Sequence, residues 1–141
     1  MSYWLLKSEP EDWSWNNQIK SKNMTAEWNG VRNYQARNNL KKMKKNDFCF
    51  FYHTGKEKKI VGIVKVVKEF FNDSSDSTKK FVSILVKAEK KLNYTVSLEN
   101  IKKDVFFKEF TLVKQSRLSV IKIHTKYWKK IYKMGIINQN Y

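Results

Sequence analysis

Three apolar segments rich in aromatic and β-branched residues constrain this chain most: Phe48 to His53, Ile60 to Phe71 and Phe81 to Ala88. Such side chains lose rotamer freedom in a helix and pack well on a pleated surface, so each segment reads as a strand. Phe48–His53 has no polar alternation and predicts a strand buried on both faces. Gly62 marks a bulge or a point of close backbone approach. The connections Thr54–Lys58 and Asn72–Ser77 are polar loops.

Shorter elements surround these strands. Tyr3–Lys7 reads as a strand ended by Ser8-Glu9-Pro10, with Pro10 the only proline in the chain. Asp12 or Ser14 can cap a helix from Trp15 to Ser21, with Trp15 and Ile19 one turn apart. Asn33 can cap a helix from Tyr34 to Lys44, with Tyr34, Leu40 and Met43 near one face. Ser97 can cap a short helix containing Ile101. The stretch Val105–Val113 fits either a short helix or a turn. Ser119–Ile123 reads as a strand. Thr125 caps a last helix that carries Trp128, Ile131 and Tyr132 and closes at Gly135. Strands outnumber helices and lack βαβ spacing. The expectation is therefore one α+β domain over residues 1–141, a mixed, strongly curved β barrel with short peripheral helices.

The 141 residues suffice for one core without disulfides. No run of about 18 apolar residues is present, so no membrane span is expected. Neither is a secretory leader, because no basic region precedes an apolar stretch at Met1-Ser2-Tyr3-Trp4. The single cysteine, Cys49, lies inside an apolar run and reads as a small hydrophobe in a reducing, cytoplasmic setting. No His or Cys cluster has metal-ligand spacing and no glycine-rich phosphate loop exists, so neither metal nor cofactor is expected. The net charge of +16 points to a polyanionic partner, nucleic acid above all. Part of that excess is compositional, since Lys, Asn and Ile are abundant together. A monomer is expected.

One stretch carries more chemistry than a helix needs. Residues 28–38, Trp-Asn-Gly-Val-Arg-Asn-Tyr-Gln-Ala-Arg-Asn, hold two aromatic rings, two arginines and three asparagines. Only Arg32, Arg37 and Arg117 are arginine in a chain otherwise rich in lysine. A guanidinium forks onto phosphate or carboxylate and stacks on rings, as an ammonium cannot. Rings beside guanidinium and amide groups suit a nucleobase joined to a phosphate chain. Trp28 and Tyr34 can stack on a base or serve as half-buried packing residues. Arg32 and Arg37 can hold phosphates or tie a loop to the core, and Arg117 reads as structural. Lys7 and Glu9 share one strand face with Ser8 on the other; a bend at Ser8 would bring all three to one cavity. His53, at a strand end, can bond a base edge or serve structurally. His124 adjoins a helix cap.

These motifs together resemble the EVE domain family of the PUA-like superfamily. The matching stretches are Tyr3–Pro10, Trp28–Asn38, Phe51-Tyr52-His53, Val61-Gly62-Ile63 and Gln115–Val120, in the family's order across almost the whole chain. The resemblance implies a PUA-like pseudo-barrel with a base pocket formed by Lys7, Ser8, Glu9, Trp28, Asn33, Tyr34, His53, Leu118 and Ser119. It implies DNA or RNA partners carrying modified bases, since EVE relatives are placed with altered cytosines and YTH and PUA modules with RNA. Phosphate contacts from Arg32 and Arg37 are expected from guanidinium chemistry alone. The chain departs from the family's pattern in a short, Ser-rich loop at 72–80, with Phe81 opening the next strand.

The expected function is a module that captures one modified base while basic residues hold the backbone. Two alternatives remain. Some related ASCH proteins hydrolyse acylated nucleosides with a lysine, a hydroxyl and a carboxylate, types that Lys7, Ser8 and Glu9 supply. The other is a binder driven by charge alone.

Overall fold

The computed structural model describes residues 1–137 as one sheet with helices packed around it. The strands are β1 (Tyr3–Ser8), β2 (Thr25–Trp28), β3 (Phe48–His53), β4 (Lys59–Asn72), β5 (Val82–Ser97) and β6 (Val120–Ile123). The helices are α1 (Trp15–Lys20), α2 (Tyr34–Lys42), α3 (Leu98–Lys103), α4 (Thr111–Lys114) and α5 (Thr125–Ile137). Single 3-10 turns occupy Lys22–Met24 and Val105–Phe107.

Strand order across the sheet is β2-β5-β4-β3-β1-β6. β1 runs parallel to β3 and antiparallel to β6, and the other ladders are antiparallel. The centre is apolar on both faces: Leu5, Leu6, Phe50 and Phe51 are fully buried, as the unbroken run at Phe48–His53 predicts. Helix α5 closes one face by laying Trp128 on Phe50, with ring centroids 3.8 Å apart, and on Tyr3 at 4.4 Å. The buried Asp47 carboxylate starts β3. It accepts from the Trp4 indole N–H at 2.9 Å and from the backbone N–H groups of Ser2 and Lys44.

The sheet is not closed. β2 and β6 are its edges, and no ladder joins them among the described residues. The expected barrel therefore stays open at a seam. Each edge strand has only four residues, and β2 ends where Gly30, at φ +81, turns the chain away.

Several sequence expectations are corrected in detail. Ser14 caps α1 in a reciprocal capping box with Asn17, but Gln18 faces inward and Ile19 outward. Asn33 caps α2 as expected, yet Tyr34 is exposed while Ala36, Leu40 and Met43 are buried. β5 continues far beyond Ala88 to Ser97, where Leu92 and Val96 keep it in the core. His124, not Thr125, caps α5: its Nδ1 accepts from the Lys126 N–H and its carbonyl from the Trp128 N–H. That helix runs through Gly135, which abuts Leu92, instead of ending there.

Gly62 is a close approach combined with a register shift in the β4–β5 ladder. A Cβ at this position would lie 2.5 Å from the buried Trp15 ring. The Gly62→Ala variant is expected to lose about 1–3 kcal/mol through overpacking, read as a lower denaturation midpoint with unchanged denaturant slope.

Candidate functional site

A cavity of about 650 Å³ opens at the seam, a size ordinary for a small-ligand site. One wall is the end of β1, with Lys7, Ser8 and Glu9, joined by Ser119 just before β6. The opposite wall is β2, with Ala26, Glu27 and Trp28, continuing through Asn29, Gly30, Val31, Arg32 and Asn33. Asp12 and Trp13 complete the lining.

Trp13 precedes the Ser14 cap, so it stands outside helix α1 and is free to face the cavity. Its indole N–H donates to Gln18 Oε1 at 2.9 Å. Gln18 is fully buried, and its Nε2 donates to the Met24 carbonyl at 2.9 Å and the Val86 carbonyl at 3.2 Å. One buried amide thus fixes Trp13 to the turn before β2 and to β5. Trp28 is 7% exposed and sits edge-on to Phe51, ring centroids 5.3 Å apart.

The polar groups divide into committed donors and carboxylates. Lys7 donates its ammonium to the Ser116 carbonyl at 2.8 Å, and burial pushes its pKa below the ordinary lysine value. Ser8 donates its hydroxyl proton to the Trp13 carbonyl at 2.5 Å. Among the described residues, no hydrogen bond links Lys7, Ser8 and Glu9 to one another. Glu9 accepts from the Thr54 hydroxyl at 3.3 Å and lies against Gly55, where a Cβ would meet its Oε2 at 2.6 Å. Glu27 accepts from the buried Ser83 hydroxyl at 2.8 Å.

The rim at Gly30–Arg32 is built on Asp73 in the short Ser-rich loop. The buried Asp73 carboxylate accepts from the Gly30 N–H at 2.8 Å, Arg32 Nη1 at 3.0 Å, and the Ser75 N–H and hydroxyl. Burial alone would raise its pKa; the bonds from Ser75, Gly30 and Arg32 outweigh that and hold it at about 2. Asp76 repeats the device, accepting from the Thr78 N–H and hydroxyl and from the N–H groups of Lys80 and Phe81.

Of the residues read from the sequence, Lys7, Ser8, Glu9, Trp28, Arg32, Asn33 and Ser119 meet at this cavity. Tyr34, Arg37, His53 and Leu118 do not line it. Tyr34 points outward onto Phe81, ring centroids 5.2 Å apart, because the buried side of α2 is taken by Ala36 and Leu40. Leu118 is buried in the core. His53 is buried behind the cavity, where its Nε2 accepts from the Trp15 backbone N–H at 3.0 Å. A backbone N–H can only donate, so Nδ1 carries the proton and faces Glu57 at 2.9 Å. The sequence reading missed Trp13, Gln18, Glu27 and Asp73. The repeated Asp-x-Ser/Thr of Asp73–Ser75 and Asp76–Thr78 was a legible signal for the loop; nothing in hydropathy marks Gln18.

No helix among the described residues is long and apolar enough to cross a membrane. Among them, no group of three His, Cys, Asp or Glu side chains could hold a metal.

This open α+β sheet with a seam cavity defines the class. The sequence matches the EVE domain over residues 2–134, and the chain belongs to that family. Over 88 residues, 55% of this chain, it is 47% identical to thymocyte nuclear protein 1 of Gallus gallus, a stretch that covers 36% of that protein. The chain thus matches little more than a third of the length of that curated relative. The NMR structure of Rpa0253 from Rhodopseudomonas palustris superposes with TM-score 0.89 at 38% identity, covering 96% of this chain and 93% of that one. Human THYN1 protein, in complex with 5-methylcytosine-containing DNA, superposes with TM-score 0.88 at 28% identity, covering 96% and 98%.

Asp73 supplies a pH-dependent test of the rim. Its folded pKa lies below the ordinary 3.8, so its contribution is complete above that value and disappears as pH falls towards 2. The stability advantage of wild type over Asp73→Asn, measured by denaturant unfolding, is expected to be constant from pH 5 to 7 and to shrink between pH 4 and 2.

Proposed function

We propose that this EVE domain binds nucleic acid and captures a single modified base in the seam cavity. The observation that carries the reading is the indole of Trp13, half-buried at the cavity wall and locked by Gln18. A fixed ring with surface to spare is a stacking platform, and stacking contributes about 1–3 kcal/mol per base. Trp28 has little free surface, so its role is to pack the wall against Phe51. Similarity to human THYN1 protein, whose structure is a complex with 5-methylcytosine-containing DNA, supports a modified base as the ligand.

The lining favours a base that donates. Arg32 is paired with the Asp73 carboxylate and Lys7 is turned onto the Ser116 carbonyl, whereas Glu9, Asp12 and Glu27 bring acceptor oxygens. Cytosine, adenine and guanine each present an exocyclic amine; the Watson–Crick edge of thymine has only one ring N–H. The captured base is therefore amino-bearing. It is delivered from a single strand or flipped from a duplex at a cost of a few kcal/mol. A reading role fits the Ser8 hydroxyl, which is turned onto the Trp13 carbonyl as a hydrogen-bond donor.

Titrating intrinsic fluorescence with matched DNA and RNA oligonucleotides, plain or carrying modified cytosine or adenine, tests this at near-physiological salt. Selective quenching by one modified oligonucleotide is expected. Trp13→Ala should lose about 1–3 kcal/mol of that affinity with an unchanged circular dichroism spectrum. Equal affinity for every oligonucleotide with a steep salt slope would leave only a charge-driven binder.

A further inference from the structure

Four side chains form a continuous run outward from the cavity rim. Arg32 lies over the Phe81 ring at 5.3 Å, Phe81 stacks on Tyr34 at 5.2 Å, and the Arg37 guanidinium lies over Tyr34 at 4.8 Å. Arg32 lines the cavity and Arg37 does not, so the run leads from the rim onto the surface. Tyr34 is 54% exposed, yet its ring is already taken up by Phe81 and Arg37. It holds a guanidinium instead of offering a face to a base.

The two arginines are not equivalent. Arg32 is bonded to the Asp73 carboxylate at 3.0 Å and to the Ser75 hydroxyl at 3.1 Å, so its charge is locally cancelled. Arg37 has no carboxylate partner among the described residues. Its Nε and Nη2 donate to Asn38 Oδ1, and its Nη1 donates to the Lys80 carbonyl at 3.2 Å. A guanidinium has five N–H donors, so one N–H on each Nη stays free. Its neutral partners orient the group and leave its charge whole. That is the preparation a phosphate contact needs, since part of the ordering entropy is lost before binding. Lys79 and Lys80 lie beside it, and Lys41 and Lys42 end α2.

We propose that the Arg32–Phe81–Tyr34–Arg37 run is a rail for the strand leaving the cavity, in which Arg37 binds one backbone phosphate and Arg32 serves as the structural anchor. This rests on the base-capture reading for the position of the strand, not for the phosphate contact itself. Three successive steps of roughly 5 Å carry the run from the cavity rim out to Arg37. The rail carries no base information, because phosphate contacts position a strand without reading it.

The test is a double-mutant cycle between Arg37→Gln and an oligonucleotide in which one phosphate at a time is replaced by a neutral methylphosphonate. Arg37→Gln is expected to lower affinity, to reduce the slope of log affinity against log salt by about 0.7–0.9, and to keep the preference between modified and plain base. At one linkage the methylphosphonate should weaken wild type but not the variant, so the two losses do not add. Tyr34→Leu should reproduce the reduced salt slope with the fold intact by circular dichroism. Additive losses at every linkage, or an unchanged slope in both variants, would overturn the rail. Loss of all base preference in wild type, with the coupling at one linkage retained, would remove the base-capture reading and leave the rail standing.

Discussion

Everything at this site depends on a sheet that does not close. The edges β2 and β6 never pair, and residues from both sides of that gap line the same cavity. An unpaired edge exposes backbone donors and acceptors that another strand could capture. Here side chains brace each side of the gap. Asp73 binds the Gly30 N–H just beyond β2 and tethers Arg32, while Lys7 reaches across to the Ser116 carbonyl ahead of β6. One carboxylate and one ammonium therefore define the two lips. The Asp73 carboxylate is buried, so leaving it unpartnered would cost more than a surface ion pair is worth.

Charge is sorted by depth in a way the net value conceals. The chain carries +16 overall, yet the cavity is faced by Glu9, Asp12 and Glu27, and of its two cations Arg32 is paired with the Asp73 carboxylate while Lys7 is turned onto the Ser116 carbonyl. The positive field therefore acts at the surface, where it would attract a polyanion at long range and without sequence preference. Selection is left to short-range groups inside, where displaced water makes each hydrogen bond more decisive. A uniformly basic pocket would bind phosphate in place of a base.

The strands and caps were legible because they depend on local pattern. The unbroken run Phe48–His53 became the central strand, Ser14, Asn33 and Ser97 cap their helices, and Gly62 marks a close approach. The far half of β5 was hidden because Glu89 to Thr95 is polar and only Leu92 and Val96 turn inward. The site was half legible. Motif proximity rightly grouped Lys7, Ser8, Glu9 and Trp28 around one cavity, but it also included His53 and Tyr34. His53 sits in register beside Ser8 of β1 but spends its Nε2 on the Trp15 backbone, and Tyr34 follows the cap into the exposed side of α2. Sequence adjacency cannot separate such residues, because the face a side chain takes depends on partners tens of positions away.

Gln18 shows why the remainder was out of reach. On α1 a hydropathy argument puts Ile19 inside and Gln18 outside, yet the structure reverses them. The reversal makes sense only with the long-range partners in view. The Met24 and Val86 carbonyls and the Trp13 indole each need a hydrogen bond, and one amide satisfies all three. An isoleucine there would remove all three bonds, including the buried one to Val86, at a larger cost than exposing Ile19. Burying an amide is favourable because its partners already exist, and the same three bonds hold Trp13 in place. The stiffness of the proposed stacking ring is thus a by-product of satisfying backbone polarity where α1, β2 and β5 meet.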